Sequence, residues 1–127
     1  MTGKKILISE DNLANMELIT DLLEIARYVV LQAETAEEGI ALAKAESPDL
    51  ILMDIALPGM DGLSATRILK QEAKTKNTSI IALTSYAMER DKEEALAAGC
   101  ETYMTKPIDT REFPLAIAHF IESASEA

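Results

Sequence analysis

The chain has 127 residues, a formal net charge of −10, 48% hydrophobic and 27% charged residues. This composition is typical of one globular domain with a sizeable core, and its acidic balance argues against nucleic acid as a partner. No run reaches the roughly 18 apolar residues of a membrane helix, and no signal-peptide segment follows the N-terminus. The lone Cys100 cannot form an internal disulfide. We therefore expect a cytoplasmic protein without membrane insertion.

Short apolar strands alternate with helical patterns five times along the chain. The predicted strands cover residues 5–9, 28–31, 50–53, 80–83 and 101–105. Asn12 is a predicted helix cap, Thr35 with Glu38 resembles a capping box, and Gly99 is a predicted helix stop. Such an alternation predicts a doubly wound α/β fold of the flavodoxin-like (βα)5 type, with a five-stranded parallel sheet and helices on both faces.

Two local features of the sequence predict how individual helices begin and end. The segment EIARYVV lacks a glycine after the first helix, so we expect the turn to pass less freely through Ala26 or Arg27. In the last helix, proline is favoured at the first position. We therefore expect that helix to begin near Phe113 or Pro114, after a short turn over residues 110–112. A preceding helix is expected over residues 88–98.

Polar side chains lie where the first, third, fourth and fifth predicted strands end. In open α/β sheets, ligands bind at the carboxyl ends of the strands. The residues at this edge are Glu10, Asp11, Asp54, Thr84, Ser85, Thr105 and Lys106. Carboxylates this close together stay ionised only beside a cation, and oxygen ligands suit Mg²⁺. The sequence thus predicts a metal site with a lysine opposite Asp54.

Four segments carry a resemblance to a known family. They are ILISEDN, DLILMDIALPGMDG, IIALTSYA and YMTKPID, in this order and spacing. They resemble the strand-end motifs of the receiver domain of bacterial two-component response regulators, and the resemblance covers essentially the whole chain. Within the family, the sequence is most similar to single-domain regulators of cell division and cell fate.

The resemblance implies a role for each acidic residue. Asp54 is expected to accept a phosphoryl group from a sensor histidine kinase or a histidine phosphotransfer protein. Asp11, Asp54 and the backbone carbonyl of Ala56 are expected to ligate Mg²⁺, with Mn²⁺ as a possible substitute. Glu10 is expected to reach the ion, often through water. The domain is then not an enzyme in the usual sense, although it assists its own phosphorylation and dephosphorylation.

The resemblance also implies a switch. Lys106 is expected to contact the phosphoryl oxygens and the Thr84 hydroxyl to hydrogen-bond one of them. Tyr103 matches an aromatic residue that changes rotamer with that threonine, although a packed tyrosine without a switching role is the alternative. The Lys106–Pro107 peptide is expected to be cis. Ala56 and Tyr86 occupy positions that tune dephosphorylation, but their side chains do not assign a lifetime.

We expect the signal to leave through the face formed by the fourth helix, the fifth strand and the last helix, where a downstream protein binds. Residues 1–127 are expected to form one receiver domain without an output domain, acting alone as a monomer or weak dimer. Three alternatives remain. The first is a receiver excised from a hybrid kinase or larger regulator. The second is an aspartyl-phosphate phosphotransferase, although Ala56 stands where such enzymes need a second aspartate. The third is a flavodoxin-like electron carrier, although no glycine-rich phosphate loop follows the first strand.

Overall fold

The computed structural model describes residues 3–85 and 89–126 of the chain. Strands and helices alternate along it. The strands are β1 (Lys5–Ser9), β2 (Val29–Ala33), β3 (Leu50–Asp54), β4 (Ser79–Thr84) and β5 (Thr102–Thr105). The helices are α1 (Leu13–Ile25), α2 (Ala36–Glu46), α3 (Gly62–Gln71), α4 (Glu89–Ala98) and α5 (Glu112–Glu126). None of the helices in these two ranges is long and apolar enough to cross a membrane.

The five strands form one parallel sheet in the order β2-β1-β3-β4-β5. Apolar side chains of α1 and α5 pack with one face of the sheet, and those of α2, α3 and α4 pack with the other. Because β3 is covered on both faces, all five of its residues are buried. The predicted doubly wound fold is confirmed, and the strand order reverses between β1 and β3, where a ligand site is expected.

The second strand differs from the prediction, since it runs from Val29 to Ala33 rather than over residues 28–31. Tyr28 is outside the ladder because its N–H bonds to the carbonyl of Leu23, at the end of α1 (3.1 Å). The strand then continues in register with β1, from Lys5 opposite Val29 to Ser9 opposite Ala33. The pairing with β1 thus determines both ends of β2, which the apolar residues alone place too early along the chain.

The turn after α1 passes through Arg27, which has a φ of 70°. The sequence predicts a turn through Ala26 or Arg27. Because Arg27 has a Cβ, its backbone is strained in this left-handed region. At the other end of the chain, α5 begins at Glu112, one residue before the predicted start. Asp109 Oδ1 accepts the N–H groups of Arg111 (2.8 Å) and Glu112 (2.9 Å), which caps the helix. Tyr86 and the predicted helix start at residue 88 lie outside the described residues.

Candidate functional site

Three acidic side chains meet at the carboxyl edge of the sheet. Glu10 and Asp11 follow β1, and Asp54 is the last residue of β3. Because Ser9 lies opposite Met53 in the ladder, the residues that follow emerge side by side. One carboxylate oxygen from each of the three lies within 4.8 Å of the others. Glu10 is 1% exposed and Asp54 3%, whereas Asp11 is open to solvent.

Lys106 is brought to the two buried carboxylates by the end of β5. The N–H of Lys106 donates to the carbonyl of Thr84 at 2.8 Å, which anchors the segment beside β4. Its Nζ lies 2.9 Å from Asp54 Oδ2 and 2.7 Å from Glu10 Oε1. The Lys106–Pro107 peptide is cis, the geometry that the resemblance implied. One ammonium group therefore bridges two carboxylates that would otherwise repel each other.

Burial and pairing act in opposite directions on the ionisation of this cluster. Burial raises the pKa of Glu10 above its ordinary value, against the stabilising contacts from Lys106 and the Asn12 N–H. Burial alone would lower the pKa of Lys106, but its hydrogen bonds to Asp54 and Glu10 outweigh this, so its pKa is raised. The lysine consequently stays charged, and burial is the largest influence on the pKa of Glu10.

The backbone after β3 holds Asp54 in place. Asp54 Oδ1 accepts a hydrogen bond from the N–H of Ala56 at 2.9 Å, while Oδ2 bonds to Lys106. The start of α3 lies against this turn so closely that a Cβ on Gly62 would overlap the carbonyl oxygen of Asp54. Gly62 is not among the site residues that the sequence predicts. The sequence does contain one indication of the role of Gly62. It directly follows Asp61, which caps α3 by accepting a hydrogen bond from the N–H of Ser64.

Thr84 and Tyr103 occupy two different places in the structure. Thr84 ends β4 at the same edge as Asp54, since Asp54 lies opposite Leu83 in the ladder, and it is 3% exposed. Tyr103 lies opposite Ala82, two residues earlier along β4. Its ring is half-buried, packs against the apolar cluster on the α4 side of the sheet, and has Lys92 Nζ 5.0 Å from its centroid. The edge therefore contains Thr84 with the acidic cluster, while Tyr103 lies towards α4.

The donor atoms fit a hard divalent cation. All candidate ligands in the cluster are carboxylate oxygens, the type that Mg²⁺ prefers. Three carboxylates and one ammonium leave two formal negative charges, which one divalent ion neutralises. Asp11, which is exposed, gives the site an open side towards solvent.

Comparisons with known proteins agree with this geometry. The sequence model described as the response regulator receiver domain matches residues 6–118. The chain is 39% identical to the polar-differentiation response regulator DivK of Brucella ovis over 121 residues, covering 95% of this chain and 98% of DivK. DivK of Brucella anthropi shows the same identity and coverage.

Solved structures of receiver domains are also similar to this chain. The receiver domain of the sensor histidine kinase PA1611 from Pseudomonas aeruginosa, with a magnesium ion coordinated in its active-site cleft, is similar with a TM-score of 0.88 and 34% identity. That match covers 95% of this chain and 99% of the other. A CheY-like receiver domain protein from Methanospirillum hungatei has a TM-score of 0.89 and 30% identity, with 97% of each chain covered.

Proposed function

Because this chain belongs to the response regulator receiver domain family, we propose that Asp54 accepts a phosphoryl group and that this changes which proteins the chain binds. The observation that carries the proposal is the bridging contact of Lys106 Nζ with Asp54 and Glu10 (2.9 and 2.7 Å), beside Asp11. The match to DivK agrees with the predicted resemblance to single-domain regulators.

The transfer requires little covalent chemistry from the protein. An oxygen of the Asp54 carboxylate attacks the phosphorus of a phosphohistidine on the donor, and an O–P bond forms as the P–N bond breaks. The bonding electron pair stays on the imidazole nitrogen, and the product is an acyl phosphate on Asp54. A carboxylate needs no general base for this attack. The Ala56 N–H and the Lys106 ammonium orient it, and the ammonium attracts the phosphoryl oxygens.

We assign the metal site to Glu10, Asp11 and Asp54, with the Ala56 carbonyl as a further ligand and Mn²⁺ as a substitute for Mg²⁺. The observation supporting this assignment is the convergence of the three carboxylates within 4.8 Å. An ion held by these residues would supply positive charge beside the phosphoryl oxygens. The same groups would assist loss of the phosphoryl group to water.

The signal is proposed to leave through α4, β5 and α5. The Thr84 hydroxyl moves to a phosphoryl oxygen, and Tyr103 turns inward beside it. A cavity of about 350 Å³ between β5 and α5 supports this face as a docking surface for a downstream protein. Tyr103, Met104, Ile108 and Phe113 are among its lining residues, so a change at Tyr103 alters the shape of the cavity directly.

The phosphoryl acceptor is tested with phosphoramidate and Mg²⁺, followed by intact mass measurement. We expect one phosphoryl group on the wild type and none on Asp54→Asn. Asp61→Asn is the matched control, because Asp61 lies on the same loop and an asparagine still caps α3. Equal labelling of Asp54→Asn and the wild type would disprove the assignment.

The metal site is tested by titrating Mg²⁺ into Asp11→Asn. We expect weaker binding, and a metal-free fold at least as stable as the wild type, because one repelling carboxylate has been removed. Asp21→Asn, an exposed change on α1, is the control and should bind Mg²⁺ like the wild type. An unchanged affinity in Asp11→Asn would place the metal elsewhere.

We further propose that residues 1–127 act as one cytoplasmic receiver domain, a monomer or weak dimer, phosphorylated by a histidine kinase or histidine phosphotransfer protein. The coverage of 98% of DivK supports the single-domain form, and the free, buried Cys100 fits a reducing compartment. The similarity to the PA1611 receiver keeps a kinase-attached receiver as the alternative. The size of the endogenous protein on an immunoblot distinguishes the two, and phosphotransfer profiling identifies the donor.

A further inference from the structure

A lysine of α4 lies over the ring of the candidate switch residue. Lys92 Nζ is 5.0 Å from the centroid of the Tyr103 ring. This is within the range of about 6 Å at which the face of an aromatic ring attracts a cation. The Lys92 side chain is only 29% exposed, so much of its aliphatic part is packed against the protein. The contact joins α4 to β5 on the face that we propose as the docking surface.

The other basic residue of α4 makes a different contact. Arg90 is 86% exposed and pairs with Glu94 on the same helix at 3.2 Å. Among the residues that the structure describes, Lys92 pairs with one carboxylate, that of Glu89, whose side chain is 79% exposed and whose oxygen is 4.0 Å away. An ion pair this open to water contributes little to the stability of the fold. Tyr103 is therefore the specific partner of Lys92, and a hydrogen bond with its side chain also raises the pKa of the ammonium.

The ring of Tyr103 is held on two sides. Its inner side packs against the apolar cluster beneath α4, and Lys92 lies over its face. Tyr103 lies opposite Ala82, two residues before Thr84 at the end of β4. A rotation of the ring towards Thr84 would change its position relative to the Lys92 ammonium, and we take the cation contact to belong to the present rotamer.

We propose that Lys92 is a positioning residue that holds Tyr103 at the α4 side and so opposes the inward, phosphoryl-coupled rotamer. This inference rests on the proposed function, because it assumes that Tyr103 turns inward when Asp54 is phosphorylated. A cation–ring contact near the surface corresponds to about a two- to five-fold bias between two conformations. By linkage, a ligand that favours the inward form should bind more tightly, by up to the same factor, once the contact is removed.

The test compares Lys92→Met, which keeps the length of the side chain without its charge, with Lys92→Arg, which keeps the cation. NMR of ring-labelled tyrosine reports the environment of Tyr103, and titration with beryllofluoride at saturating Mg²⁺ reports the linked affinity. We expect Lys92→Met to shift the ring signals towards the ligand-bound position and to tighten beryllofluoride binding about two- to five-fold. Lys92→Arg should restore both towards the wild type.

Arg90→Met is the matched control, because it removes one positive charge from the same helix at a side chain that is 86% exposed and pairs with Glu94. It should leave the ring signals and the affinity unchanged. Ring signals in Lys92→Met identical to those of the wild type would overturn the proposal, and so would an equal tightening of binding in Arg90→Met. The ring signals without ligand test the Lys92 contact independently of phosphorylation. Failure of the wild-type protein to bind beryllofluoride would instead count against the proposed function.

Discussion

Replacing Lys106 by methionine tests how the fold tolerates two buried carboxylates. The Lys106 ammonium lies 2.7 Å from Glu10 and 2.9 Å from Asp54, whose side chains are 0% and 4% exposed. Removing one partner of a buried ion pair costs about 3–5 kcal/mol, because a buried charge remains uncompensated. Proton uptake by one carboxylate limits this loss, so we expect the lower end, about 3 kcal/mol, in the absence of Mg²⁺.

The matched control is Lys44→Met. Lys44 pairs with Glu72 at 3.0 Å, nearly the same distance, but the two side chains are 42% and 44% exposed. An exposed pair contributes at most about 1 kcal/mol. The two lysines have similar ion-pair distances but differ in burial, and Lys106 has two carboxylate partners where Lys44 has one. The difference between the two variants therefore measures the cost of leaving the two buried carboxylates without their cation.

Urea denaturation with and without Mg²⁺ gives the free energy of unfolding for both variants. For a domain of this size, a loss of about 3 kcal/mol corresponds to a fall in Tm of about 10 °C. We expect Mg²⁺ to stabilise Lys106→Met more than the wild type, because the competing ammonium is gone and the carboxylates bind the ion more tightly. Equal losses in Lys106→Met and Lys44→Met, or an equal effect of Mg²⁺ on both, would refute this reasoning.

Three further predictions concern stability. Because Arg27 has a φ of 70°, Arg27→Gly should stabilise the fold by about 0.5–1 kcal/mol in urea denaturation, whereas Arg27→Ala should not. A Cβ on Gly39 would lie 2.6 Å from Ser9 Oγ. Gly39→Ala should therefore cost about 1–2 kcal/mol despite its better helix propensity, and strictly additive effects with Ser9→Ala in a double-mutant cycle would contradict the overlap. Burial raises the pKa of the Cys100 thiol above its ordinary 9.0, so the unfolded chain ionises first. Stability should be intact below pH 9 and fall above it by at most about 1.4 kcal/mol per pH unit for this group; a Cys100→Ala variant with the same pH profile would argue against it.

The sequence by itself determined the fold class and most of the site. The alternation of apolar strands and helical patterns predicts parallel βαβ units, and right-handed crossovers leave few ways to arrange them. Because parallel strands end at one edge, the polar residues at the ends of β1, β3 and β5 had to approach each other. Glu10, Asp11, Asp54 and Lys106 were named on that ground, and the structure brings them together.

Only the tertiary structure decided how these groups differ. Glu10 and Asp11 are consecutive acidic residues after the same strand, yet one is 1% exposed and the other is open to solvent. The tertiary structure also determined three contacts. Lys106 bridges two carboxylates, pairing with β1 extends β2 to Ala33, and Lys92 lies over the ring of Tyr103. Each is a contact between different elements of the fold. Periodicity and capping report only on neighbours along the sequence, so the burial and charge of these groups follow from the packing of the sheet and helices.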